Sequence, residues 1–394
     1  MKSVAMGRAG VGPALHMTLA EFRAGFDALK TFAWLDTPGC PPASRPVLEA
    51  LHRNLDSWQE GHFSWTEWEA DPDHARADIA SLLGATPAEI ALVSSVSEAA
   101  STVARSLPRG ARVLVEAEEF RSNLFPWTAL AERGEIEVVS PQPGGTGTLT
   151  DRLCASLVDG IDLVAVSTAL SSTGARPDLS VIAARARAAG AKLFLDATQS
   201  FGVLRLDLES IRPDYVAVHG YKWMLAPRGC AWMYVRSGNV SELEPLAPGW
   251  HTVDRPNAGY FGEEPWSAHA RKLDGALPWL PWIGGRAAVQ WLRRLDAEQV
   301  EARALDLAGQ ARRGLESLGI EVAPSDQPSH IVRMYAGGSD VLARHLRSRG
   351  VIASGGPTGL RVGFHGFNDD DDVTRFLDGV ETWQSERLST DDTN

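Results

Sequence analysis

The stretch YVAVHGYKWMLAPRGCAWMYV, residues 215–235, decides the fold. It opens as a short apolar run without helical spacing, breaks at His219 and Gly220, turns through Pro227 and Gly229, and resumes as CAWMYV. Apolar runs of this length between turn residues mark strands buried on both faces. Lys222 follows the first of them almost at once. Loss of water around an ammonium group disfavours its charged form, so a lysine in this place carries a nucleophilic amine. A lysine that snorkels its head into solvent is the structural alternative.

Runs of the same kind recur upstream as IALV (90–93), RVLV (112–115), EIEVV (135–139), IDLVAVS (161–167) and KLFLD (192–196). Between them lie amphipathic stretches at 98–106, 123–133 and 178–190, the alternation of an α/β domain with a mostly parallel seven-stranded sheet. Such sheets place ligands at the carboxyl ends of their strands. Attention therefore falls on Ser94 to Ser97, Ser167 to Gly174, Asp196 to Gln199 and His219 to Lys222. Residues 284–318 read as one long helix. HIVRMY (330–335), a helix near 339–349, LRVGF (360–364) and a helix from about Asp369 follow as a smaller α+β unit. Residues 1–45, broken by Pro38, Gly39, Pro41 and Pro42, read as an arm that joins the small unit or a partner subunit. The expected organisation is an arm (1–45), a large domain (46–284) and a small domain (285–394).

With 394 residues the chain exceeds one ordinary core, and its formal net charge of -12 argues against a surface for nucleic acid. A small molecule is the expected partner, with neither nucleic acid nor membrane. No apolar run spans a bilayer and the first residues lack the apolar stretch of a secretory signal, so a cytoplasmic location is expected. Cys40, Cys154 and Cys230 are widely spaced, without CxxC or a Cys/His cluster, and read as bystander thiols. The acidic run 369–372 reads as a helix start favoured by the dipole, and no metal is assigned.

Four features answer the demands of a single cofactor. Ser95 and Glu98 form an S-x-x-E capping box at a strand-to-helix junction, where the free N–H groups of Val96 and Ser97 favour an anion. Asp196 ends a buried strand, Phe120 is an aromatic ring, and Lys222 is the desolvated amine. Pyridoxal phosphate needs an anion site, a carboxylate for its ring nitrogen, an aromatic face and a lysine.

The ordered segments VSSVSEAAST, EAEEFRSN, VSTALSSTGA, LDATQSFGV, HGYKWMLAPRGCAWMYV and GLRVGFHGFNDDDDV resemble the class V aminotransferase superfamily of fold type I, from about Thr31 to the C-terminal helix. That superfamily includes kynureninase, isopenicillin epimerase, the cysteine desulfurases and the lyase of ergothioneine biosynthesis. The resemblance implies that Lys222 is the Schiff-base lysine of pyridoxal 5'-phosphate and Asp196 the partner of its ring nitrogen. Gln199 would meet the ring hydroxyl and Phe120 would stack on the ring, as in kynureninase-like members. Val96, Ser97, His219, Tyr221 and Trp250 would hold the phosphate, Trp250 from a neighbouring subunit. Arg361 would grip the substrate carboxylate with its guanidinium fork. A homodimer is implied, with the site at the subunit interface.

Two departures stand out. Ala276 takes the place of a small hydroxyl residue in the cross-subunit loop, and Ser354, Gly355 and Gly356 stand where cysteine desulfurases carry a sulfur-accepting cysteine. Similarity in GYKWMLAPRG and ARKLDGALPWLPWIG leans toward the ergothioneine-type lyases. The expected reaction is β-elimination from a cysteine S-conjugate, within specialised metabolism. Kynureninase-like hydrolysis, decarboxylating or oxidative deamination, epimerisation and transamination stay open. A cofactor-binding scaffold without catalysis is disfavoured by the intact Lys222, Asp196 and Arg361. A Rossmann dehydrogenase needs a Gly-rich turn after its first strand, and VSSVSEA provides none.

Overall fold

A computed structural model describes residues 17–141, 147–255, 259–356 and 359–391. Seven strands form one sheet, Ile90–Val93, Arg112–Val115, Glu137–Val139, Leu163–Ser167, Lys192–Asp196, Tyr215–His219 and Ala231–Val235. Across the sheet they run in the order 90–93, 231–235, 215–219, 192–196, 163–167, 112–115, 137–139. The five from 137–139 to 215–219 are mutually parallel, and Ala231–Val235 runs antiparallel to both its neighbours. Each strand read from the sequence is therefore present.

Strand geometry sends alternate side chains to opposite faces. Leu114, Val164, Val166, Leu193, Leu195, Val216 and Val218 pack on one face, while Val113, Val115, Ala165, Phe194, Ala217 and Met233 pack on the other. Both faces are covered, which explains why the strands read as continuous apolar runs.

The single helix expected over 284–318 is instead two, Trp279–Leu292 and Ala297–Ser317. The break has a local cause. Asp296 caps the second helix by accepting from the N–H groups of Glu298 (2.9 Å) and Gln299 (3.3 Å), so the first must stop before it.

The smaller unit centres on a three-stranded antiparallel sheet of Ser354–Gly356, Gly359–Gly363 and Ile331–Met334. Val332, Met334, Leu360 and Val362 face a core shared with Leu307, Leu315, Phe376 and Val380. Ala33–Trp34 pairs in parallel with Val351–Ile352, so this part of the N-terminal segment is stitched to the small unit of its own chain. Residues 1–16 of the expected arm lie outside the described residues. At the end of strand Gly359–Gly363 a glycine allows a close approach to the turns beside it. A Cβ on Gly363 would meet Pro38 at 2.5 Å and the Trp223 ring at 3.0 Å. Helix Asp370–Asp391 begins in the acidic run, where Asp372 and Asp369 pair with Arg23 and Asp370 with Arg303. No helix among the described residues is long and apolar enough to cross a membrane.

Candidate active site

The carboxyl ends of the central strands open on a cavity of about 130 Å³, walled by Val96, Ser97, Phe120, Asp196, Gln199, His219, Tyr221 and Lys222. Lys222 arrives there on a tight turn. The N–H of Ala226 donates back to the Gly220 carbonyl (3.0 Å), and Leu225 adopts φ 59°, a left-handed conformation costly for a leucine. Gly220 carries the closest approach, because a Cβ would lie 2.9 Å from the Trp232 ring. Held this way, Lys222 is buried, with Nζ 5.3 Å from the Phe120 ring centre and 5.6 Å from that of Tyr221. Burial first, and the nearby Arg361 second, push its amine down to about 8, against the pull of Asp196 and Asp36.

Asp196 is buried at the end of its strand and accepts from the Thr198 N–H (2.9 Å). Burial raises its pKa, while the Thr198 hydrogen bonds and the charge of Lys222 act the other way. At the junction of Ile90–Val93 with helix Val96–Ser106, Ser95 accepts from the Glu98 N–H (3.1 Å). The expected capping box closes differently, because the Glu98 carboxylate reaches one residue further back, to the N–H of Ser94 (2.8 Å). The first two N–H groups of the helix, those of Val96 and Ser97, have no intrahelical acceptor, and both residues line the cavity.

His219 ends the next strand, its ring 4.5 Å from that of Tyr221 and its Nε2 buried without a hydrogen-bond partner. Burial, with Arg228 and Lys222 adding to it, pushes the imidazole down to about 4, so it is neutral at pH 7. A buried unpaired polar atom beside open helix N–H groups suits a bound oxygen-rich group.

Gln199 stands in the wall with its side chain already engaged. Nε2 donates to Pro38 O (3.1 Å) and Ser171 Oγ (2.9 Å), and Oε1 accepts from Trp223 Nε1 (2.9 Å). Arg361 donates through Nη1 to the carbonyl and hydroxyl of Ser171, and its buried Nε has no partner. Trp250 is not brought to this cavity by its own chain. It lines a separate hollow with Tyr260 and Trp266 and packs on His251 (4.1 Å between rings).

Several residues at the site escaped the sequence reading. Arg228 lies over the Tyr221 ring (5.5 Å), and Asp36, bonded by Ser354 Oγ (2.6 Å), faces Arg361 and Lys222, whereas Ser171, which anchors Arg361, falls within the stretch Ser167 to Gly174 marked from the sequence. The buried Glu119 lies behind the wall.

An amine, a carboxylate, an aromatic face and open helix N–H groups converging on one cavity fit pyridoxal phosphate. The family model described as aminotransferase class-V matches residues 33–376, and the chain belongs to that family of pyridoxal-phosphate-dependent enzymes. The chain is similar to a probable cysteine desulfurase of Methanothermobacter thermautotrophicus, 27% identical over 78% of this chain and 78% of that one. Isopenicillin N epimerase of Streptomyces clavuligerus is 26% identical over 79% of this chain and 84% of its own. Among solved structures, the cysteine desulfurase of Thermococcus onnurineus NA1 shares the fold with a TM-score of 0.80 at 20% identity, covering 92% of this chain and 96% of that one. The chain is thus an enzyme acting on amino acids.

Proposed function

We propose that this enzyme is a carbon-sulfur β-lyase that cleaves a cysteine S-conjugate. The observation that carries the reading is Ser354–Gly356, a strand without a thiol, whose Ser354 is bonded to Asp36 beside Arg361 and Lys222. With no cysteine in that strand to take sulfur as a persulfide, the sulfur departs with its own substituent.

In this reading Arg361, anchored on Ser171, holds the substrate carboxylate. Lys222, which would hold the cofactor, would take the α-proton on Nζ, and an amine near pKa 8 is suited to accept and return it. Asp196 would keep a proton on the ring nitrogen, and Phe120 would stack on the ring. Val96, Ser97, His219 and Tyr221 would hold the phosphate, joined by Trp250 from a second subunit of a homodimer. Gln199 would meet the ring hydroxyl. Bound pyridoxal phosphate supplies the protonated ring that draws electrons from the substrate α-carbon. The Cα–H and Cβ–S bonds break, one water is consumed, and the products are a thiol, pyruvate and ammonia.

Exposed aromatic side chains support the homodimer, since Phe261 is 98% exposed near Tyr260 and Trp266. A kynureninase-like hydrolysis is the second reading, favoured by Phe120 where other members stack a histidine. Incubation of the enzyme with cysteine S-conjugates and with kynurenine separates the two. Thiol and pyruvate in equal amounts are expected from the conjugates, whereas anthranilate from kynurenine alone rejects the lyase.

A further inference from the structure

Glu119 is a buried carboxyl that the roles given to Lys222, Asp196 and Arg361 leave unused. It lies between strand Arg112–Val115 and helix Arg121–Glu132 and is 5% exposed. Its Oε2 accepts from the Ser167 N–H (2.8 Å), and its Oε1 accepts from the Ser167 hydroxyl (2.6 Å) and the Phe120 N–H (2.8 Å). Ser167 ends its strand in register with Asp196 on the next one. One carboxyl thereby joins the turn that carries Phe120 to the strand end beside Asp196.

The arrangement is costly. Burial first, and the charge of Asp196 second, push Glu119 up to about 7, against three hydrogen bonds that favour its anion. Glu119 faces Asp196 and, beyond it, Lys222, whereas Glu116 on the same segment faces Arg152 (3.6 Å). Phe120 is 46% exposed, so core packing does not locate its ring. The hydrogen bond from the Phe120 N–H to Glu119 fixes the backbone that carries the ring.

We propose that Glu119 is a positioning residue of the cofactor site, holding the Phe120 turn at a fixed separation from Asp196. Three donors converge on its two oxygens, and a glutamine cannot accept them all, because its amide nitrogen must face at least one N–H.

Glu119→Gln in the holoenzyme tests this without substrate. The dissociation constant of pyridoxal phosphate is expected to rise about tenfold, the order set by one lost bond to a charged acceptor. The visible circular dichroism of the bound cofactor, which reports how its ring is held, should change with it. Wild-type affinity together with wild-type dichroism overturns the proposal, even where the melting temperature falls. Should Glu119→Gln not fold, Ser167→Ala removes only the hydroxyl donor. About threefold weaker binding and an altered dichroism are then expected, and wild-type values overturn it. The proposal rests on Lys222 carrying the cofactor, which borohydride fixation at Lys222 checks separately.

Discussion

The Nζ of Lys222 lies 5.3 Å from the centre of the Phe120 ring, with the buried Asp196 carboxyl close enough to raise the pKa of the amine against burial. An aromatic aldehyde joined to that amine would have both the Phe120 ring and the Asp196 carboxyl close by.

Replacement of Lys222 by alanine is expected to abolish both the visible absorption band and the borohydride-fixable cofactor. Absorbance and peptide mass after reduction check this. Fixation at another lysine would contradict the assignment.

For Asp196→Asn, cofactor binding with little turnover is expected, because the ring nitrogen loses the charge that keeps its proton. Equilibrium dialysis and steady-state rates read the two effects apart. Turnover near wild type would remove Asp196 from the role.

The buried amine of Lys222 also makes stability depend on pH. Its folded value, about 8, lies below the ordinary lysine value of 10.5, so between them the unfolded chain binds the extra proton. Stability of the cofactor-free protein should therefore rise with pH across that window, with an upper bound of about 3 kcal/mol from this one group. Comparison of denaturant midpoints for wild type and Lys222→Met between pH 8 and 10.5 isolates the contribution. An equal slope in both proteins would mean that Lys222 is not the source.

Arg361→Ala is expected to weaken binding of carboxylate substrates by roughly 2 to 5 kcal/mol, the cost of losing one member of a desolvated charge pair. Amines without a carboxylate should change far less. Spectral titration with an amino acid and its decarboxylated analogue measures both, and equal losses would place Arg361 in a structural role through Ser171.

The sequence by itself determined the seven strands, the class of the fold and the positions of Lys222, Asp196 and Phe120. Those features are local. A strand covered on both faces must be apolar along its length, and the polar residues at its carboxyl end are read directly after it. What depends on distant partners was decided by the tertiary structure. Glu119 finds Ser167, 48 residues away, and Arg361 finds Ser171, 190 residues away. The engagement of Gln199 by Pro38 and Trp223, and the position of Trp250 outside its own chain's cavity, likewise come from packing. No local pattern encodes these pairings, because a hydrogen bond needs two groups near 3 Å apart and only the closed chain sets that distance.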